Sequence, residues 1–252
     1  MAGTAERFQI RRMAAFGGAS IPSGMLIDAV VRPLQAAFTP MRVHKGGSEA
    51  KNTCTETSDI DLVVVLHDFD HAEVKRYCDF RALEAFRTAA REVRVEILSY
   101  TNHGMKVRAA LVGSLVDHTR ELDILFTGDP KDNRHDNPPH YYNCFYTAQQ
   151  VDYVKAMKAK HPRLHDAIIT LKTAARERVD TDSAHVPGYF CELLCIKHFE
   201  VVGPGVARDV LASQRGVFEL ECPITKSRVT VREACRAAFA NLELQMNLES
   251  PV

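Results

Sequence analysis

The sequence contains no uninterrupted apolar stretch of about eighteen residues, the length that a membrane-spanning helix requires. Its amino end, Met1 to Arg12, holds no apolar core of the kind that a secretory signal needs, so an intracellular, cytoplasmic protein is expected. Neither sign of charge is in excess, with 32 basic side chains against 32 acidic ones. That balance excludes a chain drawn to polyanions by its overall field. It leaves a local basic face, such as the cluster Lys155, Lys158, Lys160, Arg163, Lys172, Arg176 and Arg178, although such clustering is usually just a solvated helix face. The seven cysteines (Cys54, Cys78, Cys144, Cys191, Cys195, Cys222, Cys235) form no C-x-x-C pair and are odd in number. A zinc ribbon and a disulfide framework are both disfavoured, and reduced thiols are expected.

What remains is the composition of a folded globular chain. With 252 residues, 46% of them hydrophobic, the protein can bury a core as one domain or as two lobes sharing an interface. Apolar residues at helical spacing run from Met25 to Phe38. The run Asp59-Ile60-Asp61-Leu62-Val63-Val64-Val65-Leu66 reads as a strand covered on both faces. A helix is expected over Ala72 to Arg91, then two strands, Val93 to Ser99 and Met105 to Val112, joined by the turn Thr101-Asn102-His103-Gly104. One more strand spans Glu121 to Phe126, and the Pro- and Asp-rich stretch from Gly128 to Pro139 reads as a loop at a lobe boundary. Helices follow at Ala148 to Lys160, Leu164 to Arg178, Gly188 to Val201, Val206 to Ser213 and Val229 to Met246, while Val217 to Thr225 reads as either a short strand or a loop. The fold class is therefore α+β: a mixed sheet with helices over residues 1–140, and a helical lobe over residues 141–252.

The chemistry concentrates around one strand. Asp59 and Asp61, two residues apart, share a strand face, so their carboxylates can jointly hold hard divalent cations. Placing two like charges at the mouth of an apolar strand is unfavourable unless a cation neutralises them. Upstream, Gly46 and Gly47 bring bare backbone forward and Ser48 adds a hydroxyl, a turn that can present donors to a phosphate chain. Two-metal chemistry asks for a third carboxylate, and Asp123, in Arg120-Glu121-Leu122-Asp123-Ile124-Leu125-Phe126, is the candidate, with Glu121 on the same strand face as its rival. Cys191, Cys195 and His198 share a helix face, but without a fourth ligand they read as core and boundary residues.

These segments resemble the 2′-5′-oligoadenylate synthetases, within the wider group that includes cyclic GMP-AMP synthase. Lys45-Gly46-Gly47-Ser48 through Asp59-Ile60-Asp61-Leu62 is similar to that family's phosphate-binding turn and first metal-binding pair, and Glu121-Leu122-Asp123-Ile124-Leu125 to its third-aspartate strand. His161-Pro162 leading to Leu171-Lys172, and Val186-Pro187-Gly188-Tyr189-Phe190-Cys191-Glu192-Leu193-Leu194, resemble its helical segments that contact the donor nucleotide. The resemblance implies a polymerase-β-like nucleotidyltransferase lobe followed by a helical lobe. It implies catalytic and metal-binding roles for Asp59, Asp61 and Asp123, and nucleotide-binding roles for Gly46, Gly47, Ser48, Lys172 and Tyr189. It further implies two magnesium ions, with manganese as a substitute, and ATP or another nucleoside triphosphate as substrate. The expected reaction is AMP transfer to a ribose hydroxyl, making 2′-5′-oligoadenylate in innate immunity, with double-stranded RNA as activating partner. The resemblance has departures: Gly188 stands where glutamine is usual, the family's helical lysine falls at Lys172 or one residue on at Thr173, the carboxyl-terminal region is shorter, and the zinc-binding insertion of cyclic GMP-AMP synthase is absent. Two alternatives therefore stand beside the first reading: a cyclic dinucleotide synthase, and a non-catalytic nucleotide- or RNA-binding sensor or decoy. The sequence fixes no oligomeric state.

Overall fold

The computed structural model describes residues 23–39, 42–54, 58–113, 119–180 and 185–248. The amino end, where no signal segment is expected, lies outside them, as do residues 55–57 of the polar stretch before Asp59. Helix α1, Ser23–Phe38, leads into a five-stranded mixed sheet of β1 (Arg42–Lys45), β2 (Ile60–Leu66), β3 (Val93–Thr101), β4 (Gly104–Leu111) and β5 (Arg120–Gly128). The strand order is β1-β2-β5-β4-β3; β2 and β5 run parallel, and every other pair is antiparallel. From Leu62 onward β2 is buried without a break, as its continuous apolar run requires of a central strand. Strand β1 was not legible in the sequence, because Arg-Val-His-Lys is short and largely polar; it is held by antiparallel pairing with β2.

Between Lys45 and β2 a single helical turn, α2 (Gly47–Ala50), carries the Gly-Ser segment. The helix expected over 72–91 forms over residues 71–88 as α3, and its middle, Tyr77–Ala82, widens into a π-helical stretch. Tyr77, Cys78 and Ala82 of this stretch are buried in the core.

The second half is helical: α4 (Thr147–Lys160), α5 (Leu164–Arg178), α6 (Gly188–Val201), α7 (Ala207–Ser213), α8 (Glu233–Ala240) and α9 (Leu242–Leu248). The stretch expected as one helix from Val229 to Met246 begins instead as strand β7 (Arg228–Thr230), paired with β6 (Glu219–Glu221), and only then becomes two short helices. Consecutive β-branched residues Val229, Thr230 and Val231 favour the hairpin over a helix start. Two core clusters result, one between Leu26 and Tyr142 around the sheet and one between Val154 and Leu242 among the helices.

Candidate active site

Parallel pairing sets Asp61 of β2 directly opposite Asp123 of β5, and antiparallel pairing sets Asp123 opposite Lys106 of β4. On the other side of β2, Gly46 donates its N–H to the Asp61 carbonyl at 2.8 Å. One transverse row of the sheet therefore reads Lys106, Asp123, Asp61, Gly46, and facing residues in such a row project to the same side. Asp59, just before β2, meets this row from its open end: its Oδ2 accepts from the Lys106 ammonium at 2.7 Å.

The glycine turn is fitted to this row. Gly47 has φ +59°, and a Cβ there would lie 1.6 Å from Asp61 Oδ2, so no side chain is compatible with the carboxylate in place. A Cβ on Gly46 would lie 2.6 Å from the Thr147 methyl at the start of α4. Gly46 thus serves close packing, with its N–H used inside the sheet, while Gly47 and Ser48 face the cleft.

That cleft, of about 440 Å³, lies between the sheet and the helices. Gly47, Ser48, Asp59, Asp61 and Asp123 line one wall, and Lys172, Arg176, Gly188, Tyr189 and Glu192 the other. Burial, reinforced by the neighbouring Asp123 and by Asp59, raises the Asp61 carboxyl to about 6, against the pull of Lys51 and Lys106. Burial also raises Asp123; Asp59 and Glu121 add to the rise while Lys106 opposes it. Among the described residues no group of three or more His, Cys, Asp or Glu side chains stands already converged on one point. Asp59, the third carboxylate, is paired with Lys106.

Lys172 and Tyr189 do line the cleft, but within a network that the sequence did not reveal. The Lys172 ammonium donates to Glu192 Oε1 at 2.5 Å and to the Thr53 carbonyl and hydroxyl at 3.0 Å each. Lys51 reaches Glu192 Oε2 at 2.9 Å and sits 4.2 Å over the Tyr189 ring. Burial opposes the charge on Glu192, yet the two ammonium groups more than offset it, and its carboxyl lies below the usual range. Gly188 is part of this arrangement, since a Cβ there would press on Lys172 at 3.3 Å. Lys51, Thr53, Glu192 and Lys106 were all missed; a lone acid in the apolar run Phe190-Cys191-Glu192-Leu193-Leu194 was the one available signal. Cys191, Cys195 and His198 are buried core residues, His198 bonded through Nδ1 to the Ser213 hydroxyl at 2.6 Å.

Residues 27–112 match the family profile of the nucleotidyltransferase domain. Asp59 and Asp61 fall inside the matched span, while Asp123 follows it. The whole architecture is a polymerase-β-like nucleotidyltransferase fold, as three solved structures show. The STING-associated CdnE c-di-GMP synthase from Capnocytophaga granulosa superimposes with a TM-score of 0.63 at 14% identity, covering 92% of this chain and 82% of that one. The Cid1 poly(U) polymerase bound to MgATP gives a TM-score of 0.50 at 11% identity, over 91% and 68% of the two chains. Terminal uridylyl transferase 4 from Trypanosoma brucei with bound CTP gives 0.50 at 14% identity, over 90% and 66%. No curated protein sequence matches the chain significantly. Among the described residues no helix is long and apolar enough to cross a membrane.

Proposed function

We propose that the protein is a metal-dependent enzyme that transfers a nucleoside monophosphate from a nucleoside triphosphate, with ATP as the expected donor, to a ribose hydroxyl. The observation that carries this reading is the register that sets Asp61 beside Asp123 in front of the Gly47-Ser48 turn, inside a cleft with Lys172 and Arg176 on its far wall. Two adjoining, partly buried carboxylates with raised protonation are out of balance by themselves, and an all-oxygen donor set fits a hard divalent ion. Asp61 and Asp123, joined by Asp59, would hold magnesium or manganese. Bound there, the metal would neutralise phosphate charge and favour ionisation of the attacking hydroxyl.

The chain's own groups divide the remaining work. Gly47 and Ser48 hold the phosphate chain from the sheet side by close backbone approach and a hydroxyl. Lys172, kept in place by Glu192 and Thr53, supplies positive charge from the helical side. Tyr189, with Lys51 over one ring face, offers aromatic surface for a base. Residues 1–140 would form the catalytic lobe and 141–252 the lobe that closes the cleft.

Two product classes follow from two different observations. The motif from Lys45 to Leu66 favours 2′-5′-linked oligoadenylate, with double-stranded RNA as activator and a cytoplasmic, innate-immune setting. The likeness to a c-di-GMP synthase over nearly the whole chain favours a cyclic dinucleotide. Purified protein incubated with ATP, GTP or both, with magnesium or manganese, and with or without double-stranded RNA, separates them. Linear products digestible by 2′-5′-specific nuclease support the first class, and nuclease-resistant products lacking terminal phosphates support the second. No product from any nucleoside triphosphate would sink the enzyme reading and leave a nucleotide- or RNA-binding role.

A further inference from the structure

Lys106 lies between the buried Met105 and Val107 and in the same sheet row as Asp123 and Asp61. Its ammonium is 2.7 Å from Asp59 and 3.6 Å from Glu121, and both pairs keep roughly a third of their side-chain surface exposed. It therefore has two carboxylates within reach. Glu121, which also receives Arg108 at 3.1 Å, stands on the outer side of the row, away from the cleft that Asp59, Asp61 and Asp123 line. A side chain with four rotatable bonds can exchange one such partner for the other at little cost.

We infer that Lys106 is a built-in cation that competes with the divalent metal for Asp59, and that Glu121 receives the ammonium when Asp59 turns to the metal. This rests on the nucleotidyltransferase reading and adds to it a positioning residue that sets how readily the site takes up metal. The physical argument is charge balance. Asp59, Asp61, Asp123 and Glu121 place four carboxylates around one end of the sheet, and the structure answers them with the ammonium groups of Lys106 and Lys51 and, at Glu121, the Arg108 guanidinium. A divalent ion entering beside a fixed ammonium meets like-charge repulsion. One entering as the ammonium steps outward to Glu121 does not. The same displacement couples metal loading to the orientation of Asp59, so the third carboxylate joins the other two only when the metal arrives.

The test is direct Mn2+ binding to the 252-residue chain, monitored by electron paramagnetic resonance and by the metal-induced rise in melting temperature, neither of which needs turnover. Lys106→Met is expected to bind Mn2+ about tenfold more tightly than the unaltered protein. Glu121→Gln, which removes the outer berth, is expected to bind it several-fold more weakly. A gain of affinity on losing Lys106 is not an outcome that a merely structural role for this lysine would give. Unchanged or weakened Mn2+ binding in Lys106→Met overturns the inference while leaving the nucleotidyltransferase reading intact. Should Lys106→Met fail to fold, unaltered Mn2+ affinity in Glu121→Gln overturns it instead. Should the unaltered protein and both variants bind no Mn2+ at millimolar concentration, the inference falls together with the metal-dependent reading on which it rests.

Discussion

Lys172 donates to Glu192 at 2.5 Å across the gap between α5 and α6, and both side chains are almost wholly removed from solvent. The pair is also joined to the sheet half, because Glu192 holds Lys51 and Lys172 holds Thr53. A buried carboxylate flanked by two ammonium groups is a strut whose members are costly to remove singly.

Replacing Glu192 with alanine would leave two ammonium groups facing each other in a buried setting. The expected loss of stability is about 3–5 kcal/mol, read from denaturant midpoints. Glu192→Gln, which keeps the shape and one acceptor, should lose less. A loss below about 1 kcal/mol in Glu192→Ala would show that water screens these charges.

The glycine turn supplies a second expectation. Gly47→Ala must both hold alanine at φ +59° and displace the Asp61 carboxylate from a position 1.6 Å from the new methyl. The left-handed backbone alone costs about 1 kcal/mol, and the collision adds to it. Stability should fall by roughly 2 kcal/mol or more, and any nucleotide-induced rise in melting temperature should vanish. Gly188→Ala, whose methyl meets only the flexible end of Lys172, should be much milder.

How far the site could be read from sequence depends on what each residue's position rests on. Strands β2 and β5 announce themselves by β-branched apolar runs, and α5 and α6 end where Leu164, Arg178, Gly188 and Val201 are expected to end them. That Asp61 faces Asp123 is a property of register, which local pattern does not carry: a slip of one residue would turn one carboxylate to the opposite face. Lys106 and Glu192 were invisible for a related reason. Each is a charged residue flanked by buried apolar neighbours, and its value comes from partners far along the chain, Asp59 for one and Lys51 for the other. In the carboxyl-terminal hairpin, β6 falls in the stretch Val217 to Thr225 that reads as either a strand or a loop, while β7 was misread as the start of the helix that follows it.

The raised Asp61 carboxyl predicts how stability varies with pH in protein kept free of divalent ions by chelator. Folded, the group titrates near 6; unfolded, near 3.8. Between those values the folded chain holds the extra proton, so this group's contribution is greatest at the acid end and is lost as pH rises through about 4 to 6. The two-unit difference amounts to at most about 3 kcal/mol. The stability of Asp61→Asn relative to the unaltered protein should therefore increase over that window and level off above it. A difference that is flat with pH would mean the carboxyl titrates normally.

Asp123→Asn separates the cost of the site from its use. Burial and the charges of Asp59 and Glu121 disfavour the ionised form of this side chain, so a neutral isostere relieves strain that the folded protein otherwise carries. Melting temperature in chelator should hold steady or rise. Product formation should fall by about a thousandfold, the scale of roughly 4 kcal/mol of lost transition-state stabilisation when a metal-holding carboxylate is removed. The two readouts must move apart: a variant that loses both stability and activity would mark Asp123 as a structural residue, and one that keeps both would remove it from the machinery. A stable, inactive Asp123→Asn is the signature of a carboxylate retained against its own folding cost, which is what a group reserved for a cation and a triphosphate requires.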